Sequence, residues 1–153
     1  MPLRALFVCL YELFVFCFGN PYISFFNKHY SINEDETLAT FTVIIYEAPY
    51  AKERALSALR FAWTADLEGH KVNIWLFENG VYLAKKGQEP AQGLTNYGQM
   101  LEDLIKGGVE VKACIVCCNA RGLTQADLFD GIKVATVHEL VEWTVNSDKV
   151  INF

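Results

Sequence analysis

Positive charge is scarce in this chain, where 13 Lys and Arg stand against 18 Asp and Glu for a formal net charge of −5. Nucleic-acid binding needs clustered basic side chains to neutralise phosphates. The only basic pair, Lys85-Lys86, reads as a solvated turn, so a nucleic-acid partner is excluded. Charge of either sign is sparse, at 20% of residues against 52% hydrophobic, which excludes a disordered chain. Several catalytic and binding signatures are absent as well. There is no Gly-x-Gly-x-x-Gly after a strand, no Gly-x-x-x-x-Gly-Lys-Ser/Thr, no His-Glu-x-x-His and no Gly-x-Ser-x-Gly, which removes the common dinucleotide, P-loop, zinc-protease and hydrolase readings. No internal repeat and no low-complexity stretch occurs.

Long apolar runs are also few. The most apolar stretch, residues 5–18, follows Arg4 and contains Glu12. It is short for a membrane span, which needs roughly 20 residues. It has the look of a signal-peptide core but lacks a small-x-small cleavage site after it. A membrane role is disfavoured, and the stretch reads as an extra helix that docks on the domain or a partner, or as a misplaced translation start. Residues 19–38 are polar and turn-rich and read as a linker. The expected organisation is thus an extension and linker over residues 1–38 and one domain over 39–153.

Beyond residue 38 the pattern is regular. Short β-branched and aromatic runs at 40–46, 71–77, 109–114, 132–135 and 149–153 predict five strands. Between them, apolar spacing predicts helices over 51–68, from Asn96 to the Gly107-Gly108 stop, and after Thr136. Thr136-Val-His-Glu139 has the spacing of a capping box. Trp63, Trp75 and Trp143 read as core. Strands alternating with helices imply right-handed crossovers. The predicted fold is therefore a three-layer α/β/α domain of flavodoxin-like architecture with a five-stranded parallel sheet.

In such a sheet, ligands bind beyond the carboxyl ends of the strands. Glu47 to Tyr50, Asn79-Gly80, Cys114 and Thr136 to His138 fall there. Glu47 reads as a solvated loop residue, and His138 as an exposed first-turn residue that would serve as a base only if it met the thiols. The cysteines are more informative. Five is an odd number, and Cys114, Cys117 and Cys118 crowd into five positions while Cys9 and Cys17 lie far off. A disulfide framework would space an even set through a small, loop-rich chain. The pattern points instead to a reducing, cytoplasmic setting with reactive thiols. If the chain turns helical after Cys114, the helix N-terminus and Arg121 would lower a thiol pKa, and the i, i+3 spacing would bring Cys114 and Cys117 onto one face. Cys118 reads as packing. Zinc or an iron–sulfur cluster would need His138 to complete the ligand set, and no metal or cofactor is expected. A thioredoxin-like oxidoreductase carries its Cys-x-x-Cys earlier in the fold.

Four blocks, in order, carry a resemblance. They are Pro49-Tyr-Ala-Lys-Glu53-Arg-Ala-Leu-Ser-Ala-Leu-Arg60, Gly80-Val-Tyr-Leu-Ala-Lys-Lys-Gly-Gln88, Ala113-Cys-Ile-Val-Cys-Cys-Asn-Ala-Arg-Gly122 and Glu139-Leu-Val-Glu-Trp143. Together they resemble the DsrE/DsrF-like sulfur-relay family of the YchN and TusD type. The resemblance implies the fold already predicted, homo-oligomers (trimers or hexamers), and sulfur handling with donor and acceptor proteins. It also implies a persulfide on a strand-end cysteine in a Cys-x6-Arg-Gly pattern, which Cys114, Arg121 and Gly122 match. Cys117 is similar to a second cysteine found in part of the family, and Cys118 is an addition. The expected site is Cys114 and Cys117, supported by Arg121, Tyr50, Asn79 and His138. The expected role is at most a sulfurtransferase-type relay component rather than a stand-alone enzyme. A non-catalytic oligomeric binding subunit and a thiol redox sensor are the alternatives.

Overall fold

A computed structural model describes residues 38–153; the expectations for the N-terminal extension lie outside the described residues. Five strands, β1 (Thr40–Ile45), β2 (Lys71–Leu76), β3 (Glu110–Cys114), β4 (Lys133–Ala135) and β5 (Lys149–Asn152), form one all-parallel sheet in the order β4-β3-β2-β1-β5. The helices are α1 (Arg54–Leu67), α2 (Tyr97–Gly107), α3 (Ile115–Asn119) and α4 (Val137–Val145). Two 3-10 segments, Glu78–Ala84 and Gln125–Asp127, complete the regular structure. The three-layer α/β fold is therefore as the sequence implies.

Strand order decides which face each helix covers. The crossovers from β1 to β2 and from β2 to β3 step the same way along the sheet, and right-handedness puts α1 and α2 on one face. The connection from β4 returns past β1 to β5, so α4 lies on the other. Side chains alternate between the faces. Val43, Ile45, Ile74, Leu76, Val111 and Ala113 point to α1 and α2 and form the main core. Ile44, Trp75, Cys114 and Ala135 point the other way, where Leu140 and Trp143 of α4 cover them.

The two outer layers differ in depth. Helix α1 buries Ala55, Leu56, Ala58, Leu59, Ala62 and Ala65, and its four alanines let it lie close on the sheet. Helix α2 starts as its cap predicts, with Asn96 Oδ1 accepting from the Gln99 N–H at 3.0 Å, and stops at Gly108 with φ of 104°. Helix α4 has its capping box, and the Glu139 carboxylate accepts the Thr136 N–H at 3.0 Å. It buries no residue, and Val137, Val141 and Val145 form an exposed i, i+4, i+8 stripe. Of the three tryptophans, only Trp75 is fully buried; Trp63 and Trp143 are half-buried.

Two start points differ from expectation. Helix α1 begins at Arg54 rather than 51, because the chain first turns at Tyr50, which has a positive φ of 63°. The 3-10 segment after β2 replaces the simple Asn79-Gly80 turn. It packs so tightly on β1 that a Cβ at Gly80 would lie 2.1 Å from the Ile45 carbonyl oxygen.

Candidate functional site

Cys114 is the last residue of β3 and the N-cap of α3, with extended φ and ψ of −60° and 121°. As the final second-face residue of β3, opposite Ala135 of β4, its side chain is only 1% exposed among Ile44, Trp75 and Ala135. The thiol is therefore closed to solvent. The strand ends at Cys114, but Cys117 of α3 and Leu140 and Trp143 of α4 pack against the cluster that holds its side chain.

Cys117, one turn into α3, is half-buried and packs on the cluster holding Cys114, with the two thiols within hydrogen-bonding reach of each other. Its Sγ also accepts the backbone N–H of Glu78 at 3.2 Å. Glu78 presents that N–H from a left-handed conformation, φ of 46°, which is uncommon for a residue with a Cβ. Arg121 sits behind this contact. Its Nε and Nη2 donate to Asn79 Oδ1 at 3.0 and 2.8 Å, and its Nη1 donates to the Cys117 carbonyl at 3.1 Å. Three backbone elements (β3, α3 and the 3-10 segment after β2) thus meet at the thiol pair, with the Arg121 side chain tying the last two together.

The electrostatics run opposite to expectation at Cys117. Burial, and then the hydrogen bond with Cys114, push its thiol above the ordinary value of 9.0, while the Glu78 N–H and Arg121 pull the other way. A helix of five residues brings too small a dipole to overturn desolvation. Cys118 is fully buried, and burial followed by the charges of its two neighbouring thiols pushes it up to about 11. It sits in the main core, in keeping with its reading as packing.

The other expected residues lie apart from the thiols. Tyr50 is stacked on Tyr97 with ring centroids 4.5 Å apart, and its hydroxyl donates to the Thr95 carbonyl at 3.2 Å. It lines an open cleft of about 390 Å³ with Tyr82, Lys85 and Gln88, to which no cysteine contributes. His138 is exposed, and its Nε2 faces Glu142 at 3.4 Å. Glu47 pairs with Lys52 at 3.5 Å. Among the described residues, no group of three or more His, Cys, Asp or Glu is placed to share a metal ion, and no helix is long and apolar enough to cross a membrane.

Two contributors were not visible in the sequence. Glu78 acts through its backbone, which no side-chain motif reports. Lys112 lies on the same face as Cys114, only 12% exposed, with Nζ 3.1 Å from Glu139 and 4.4 Å from the centre of the Trp143 ring. A lysine two residues before a strand-end cysteine, paired with the capping-box glutamate, was the available signal.

Fold and site define an α/β domain that presents a cysteine pair at the carboxyl end of a parallel sheet. Residues 39–153 match the DsrE/DsrF-like family, and the chain belongs to it. An uncharacterized protein of Methanocaldococcus jannaschii is 57% identical over 113 residues, covering 74% of this chain and 98% of that one. Protein YchN of Escherichia coli is 34% identical over 113 residues, covering 72% and 96%. The crystal structure of YchN superposes with a TM-score of 0.71 at 32% identity, over 76% of this chain and all of that one. Sulfurtransferase TusD of Cronobacter sakazakii is 28% identical over 128 residues, covering 74% and 98%.

Proposed function

We propose that this protein is a cytoplasmic sulfur carrier that holds sulfane sulfur as a persulfide on Cys114, beside Cys117. The observation that carries the reading is the contact of two free thiols at a strand end, one of them only half-buried and held by a backbone N–H. Exchange of sulfur between thiols needs a thiolate and a path to it, and Cys117 lies on that path. Membership of the DsrE/DsrF-like family and similarity to a sulfurtransferase support sulfur transfer over other thiol chemistry. Arg121 and Asn79 fix α3 against the 3-10 segment and so hold Cys117 in place. Tyr50 and His138 take no part in the thiol contacts, so their support is limited to shaping the surrounding loops.

The donors and acceptors are proteins. Ile115 and Val116, 38% and 67% exposed, flank the thiols and give a partner an apolar landing. The exposed valine stripe on α4 supports homo-oligomers, since an apolar helix face is stable only when covered. The chain acts as a relay component rather than a stand-alone enzyme.

The test is mass spectrometry after incubation with inorganic polysulfide. One added sulfur, roughly 32 daltons, is expected on the tryptic peptide spanning 113–121, and its absence sinks the reading. The burial of Cys114 favours one second reading, a binding subunit with inert thiols. On that reading, Cys114→Ser and Cys117→Ser keep full activity in the cell.

A further inference from the structure

We propose that Cys117, not Cys114, is the thiol that meets the sulfur donor, and that the sulfur then moves inward to Cys114. The inference rests on the carrier reading above and adds the direction of transfer.

The two thiols differ in the property that decides which of them a donor reaches. Displacement at sulfur requires the attacking sulfur, the sulfur being transferred and the leaving sulfur to lie nearly in line, with room for the donor on the far side. Cys114, 1% exposed and enclosed by Ile44, Trp75 and Ala135, offers no such line to a bulky molecule. Cys117 is half-buried, packs against both this cluster and the main core, and lies beside Cys114. A sulfur taken up on Cys117 therefore has the Cys114 thiol beside it.

The two steps balance without an oxidant or reductant. First, the Cys117 thiolate attacks the outer sulfur of a donor persulfide. A bond from Cys117 Sγ to that sulfur forms, the donor's S–S bond breaks, and the donor leaves as a thiolate that takes a proton. Second, the Cys114 thiolate attacks the same outer sulfur. The new S–S bond on Cys114 forms as the one on Cys117 breaks, and the proton lost by Cys114 ends on Cys117. Net, Cys117–S–SH and Cys114–SH become Cys117–SH and Cys114–S–SH.

The surroundings favour that direction. In the second step the leaving group is the Cys117 thiolate, and the Glu78 N–H lies 3.2 Å from its Sγ, with Arg121 anchored on the Cys117 carbonyl. A donor N–H aimed at the atom where charge develops stabilises it without reorganisation. The sulfur finishes on the side chain that solvent thiols reach least, which is what a carrier requires between donor and acceptor.

The experiment loads the full chain with glutathione persulfide, quenches samples by alkylation and follows the mass gain of the intact protein. Wild type, Cys114→Ser, Cys117→Ser, Cys117→Ala and Cys118→Ala are compared, each first checked by circular dichroism for a folded chain. Loading of both Cys117 variants is expected to fall by about tenfold, since the reachable thiol is gone. Cys114→Ser is expected to load at least as fast as wild type, since Cys114 helps to hold the Cys117 thiol up, but to lose its sulfur to added glutathione about tenfold faster, because its sulfur stays on the more exposed residue. If Cys117 variants load as fast as wild type, or Cys114→Ser does not load, the direction is overturned while the carrier reading stands. Release of hydrogen sulfide with a Cys114–Cys117 disulfide overturns it too, since attack then falls on the inner sulfur. If wild type gains no sulfur, the carrier reading itself fails, and the direction with it.

Discussion

Arg121 places two hydrogen bonds on the single Oδ1 of Asn79, at 3.0 and 2.8 Å, and a third on the carbonyl of Cys117 at 3.1 Å. One guanidinium thereby ties the thiol-bearing helix to the segment that supplies the Glu78 N–H. The geometry needs a planar fork of donors, which lysine lacks. Arg121→Lys is therefore expected to behave much like Arg121→Ala. Each should cost about 1–3 kcal/mol of stability and slow alkylation of Cys117 at neutral pH. In Arg121→Ala the slowing follows because the charge that opposes the upward push on the Cys117 thiol is gone; in Arg121→Lys it follows only if the lost fork of hydrogen bonds lets that charge drift from the thiol. Denaturant unfolding and a pH series of iodoacetamide alkylation check the two halves. A lysine variant that alkylates like wild type would show that charge alone suffices.

Gly80 is the second support of the same contact. A methyl group there would meet the Ile45 carbonyl carbon at 2.8 Å and its oxygen closer still, and backbone cannot swing aside as a side chain tip can. Gly80→Ala is expected to destabilise the fold by about 1–3 kcal/mol or more, the usual range for overpacking. It should also shift the 3-10 segment and weaken the Glu78–Cys117 contact. Urea unfolding measures the first effect, and the Cys117 alkylation rate the second. Unchanged stability would mean that the segment is not held against β1.

Much of the fold was legible because strands inside the sheet, such as β2, are buried on both faces and leave continuous apolar runs, while the edge strand β5 shows as a short β-branched run. The strand at 71–77 is found at Lys71–Leu76 and that at 149–153 at Lys149–Asn152. Asn96, Gly108 and Thr136 mark helix ends through local hydrogen bonds, and local chemistry is what a sequence displays. The site was legible only as a set of residues. That Cys114 is buried among Ile44, Trp75 and Ala135, and that burial outweighs the helix end at Cys117, depend on packing between elements far apart in the chain. The 3-10 segment over Glu78–Ala84 has no periodic pattern and is fixed by contacts of Val81, Leu83 and Ala84 with the core. Tyr50 and His138 follow strand ends as expected, yet Tyr50 turns to Tyr97 and Thr95, and His138 to Glu142, rather than to the thiols.

Glu139 gives an acid-side prediction. The Thr136 N–H, and next Lys112, hold its carboxyl below the ordinary value of 4.5. A depressed carboxyl adds stability that is complete above the unfolded pKa and is lost as pH falls through the folded one. Wild type should therefore lose stability below about pH 4.5 more steeply than Glu139→Gln, which lacks the titrating group. The glutamine variant should in turn be less stable at pH 7, where the charged pair with Lys112 is intact in wild type. Thermal melts of both proteins from pH 3 to pH 7 test this; parallel curves would show that the Lys112–Glu139 pair adds nothing.

Cys118 gives the opposite sign at high pH. Its thiol is held at about 11 in the fold, chiefly by burial, whereas in the unfolded chain it ionises near the ordinary value of 9.0. Between those values the unfolded state has lost a proton that the folded state keeps. The unfolded state then binds fewer protons, so the free energy of unfolding falls as pH rises. The stabilisation is complete below the unfolded pKa and is lost progressively toward the folded one. Cys117, also raised, adds to the same decline. Cys118→Ala removes the larger share, and its unfolding midpoint should change less from pH 8 to pH 11 than that of wild type. Denaturant midpoints across that range decide the matter. An alkaline decline as steep in Cys118→Ala as in wild type would place the titrating group elsewhere.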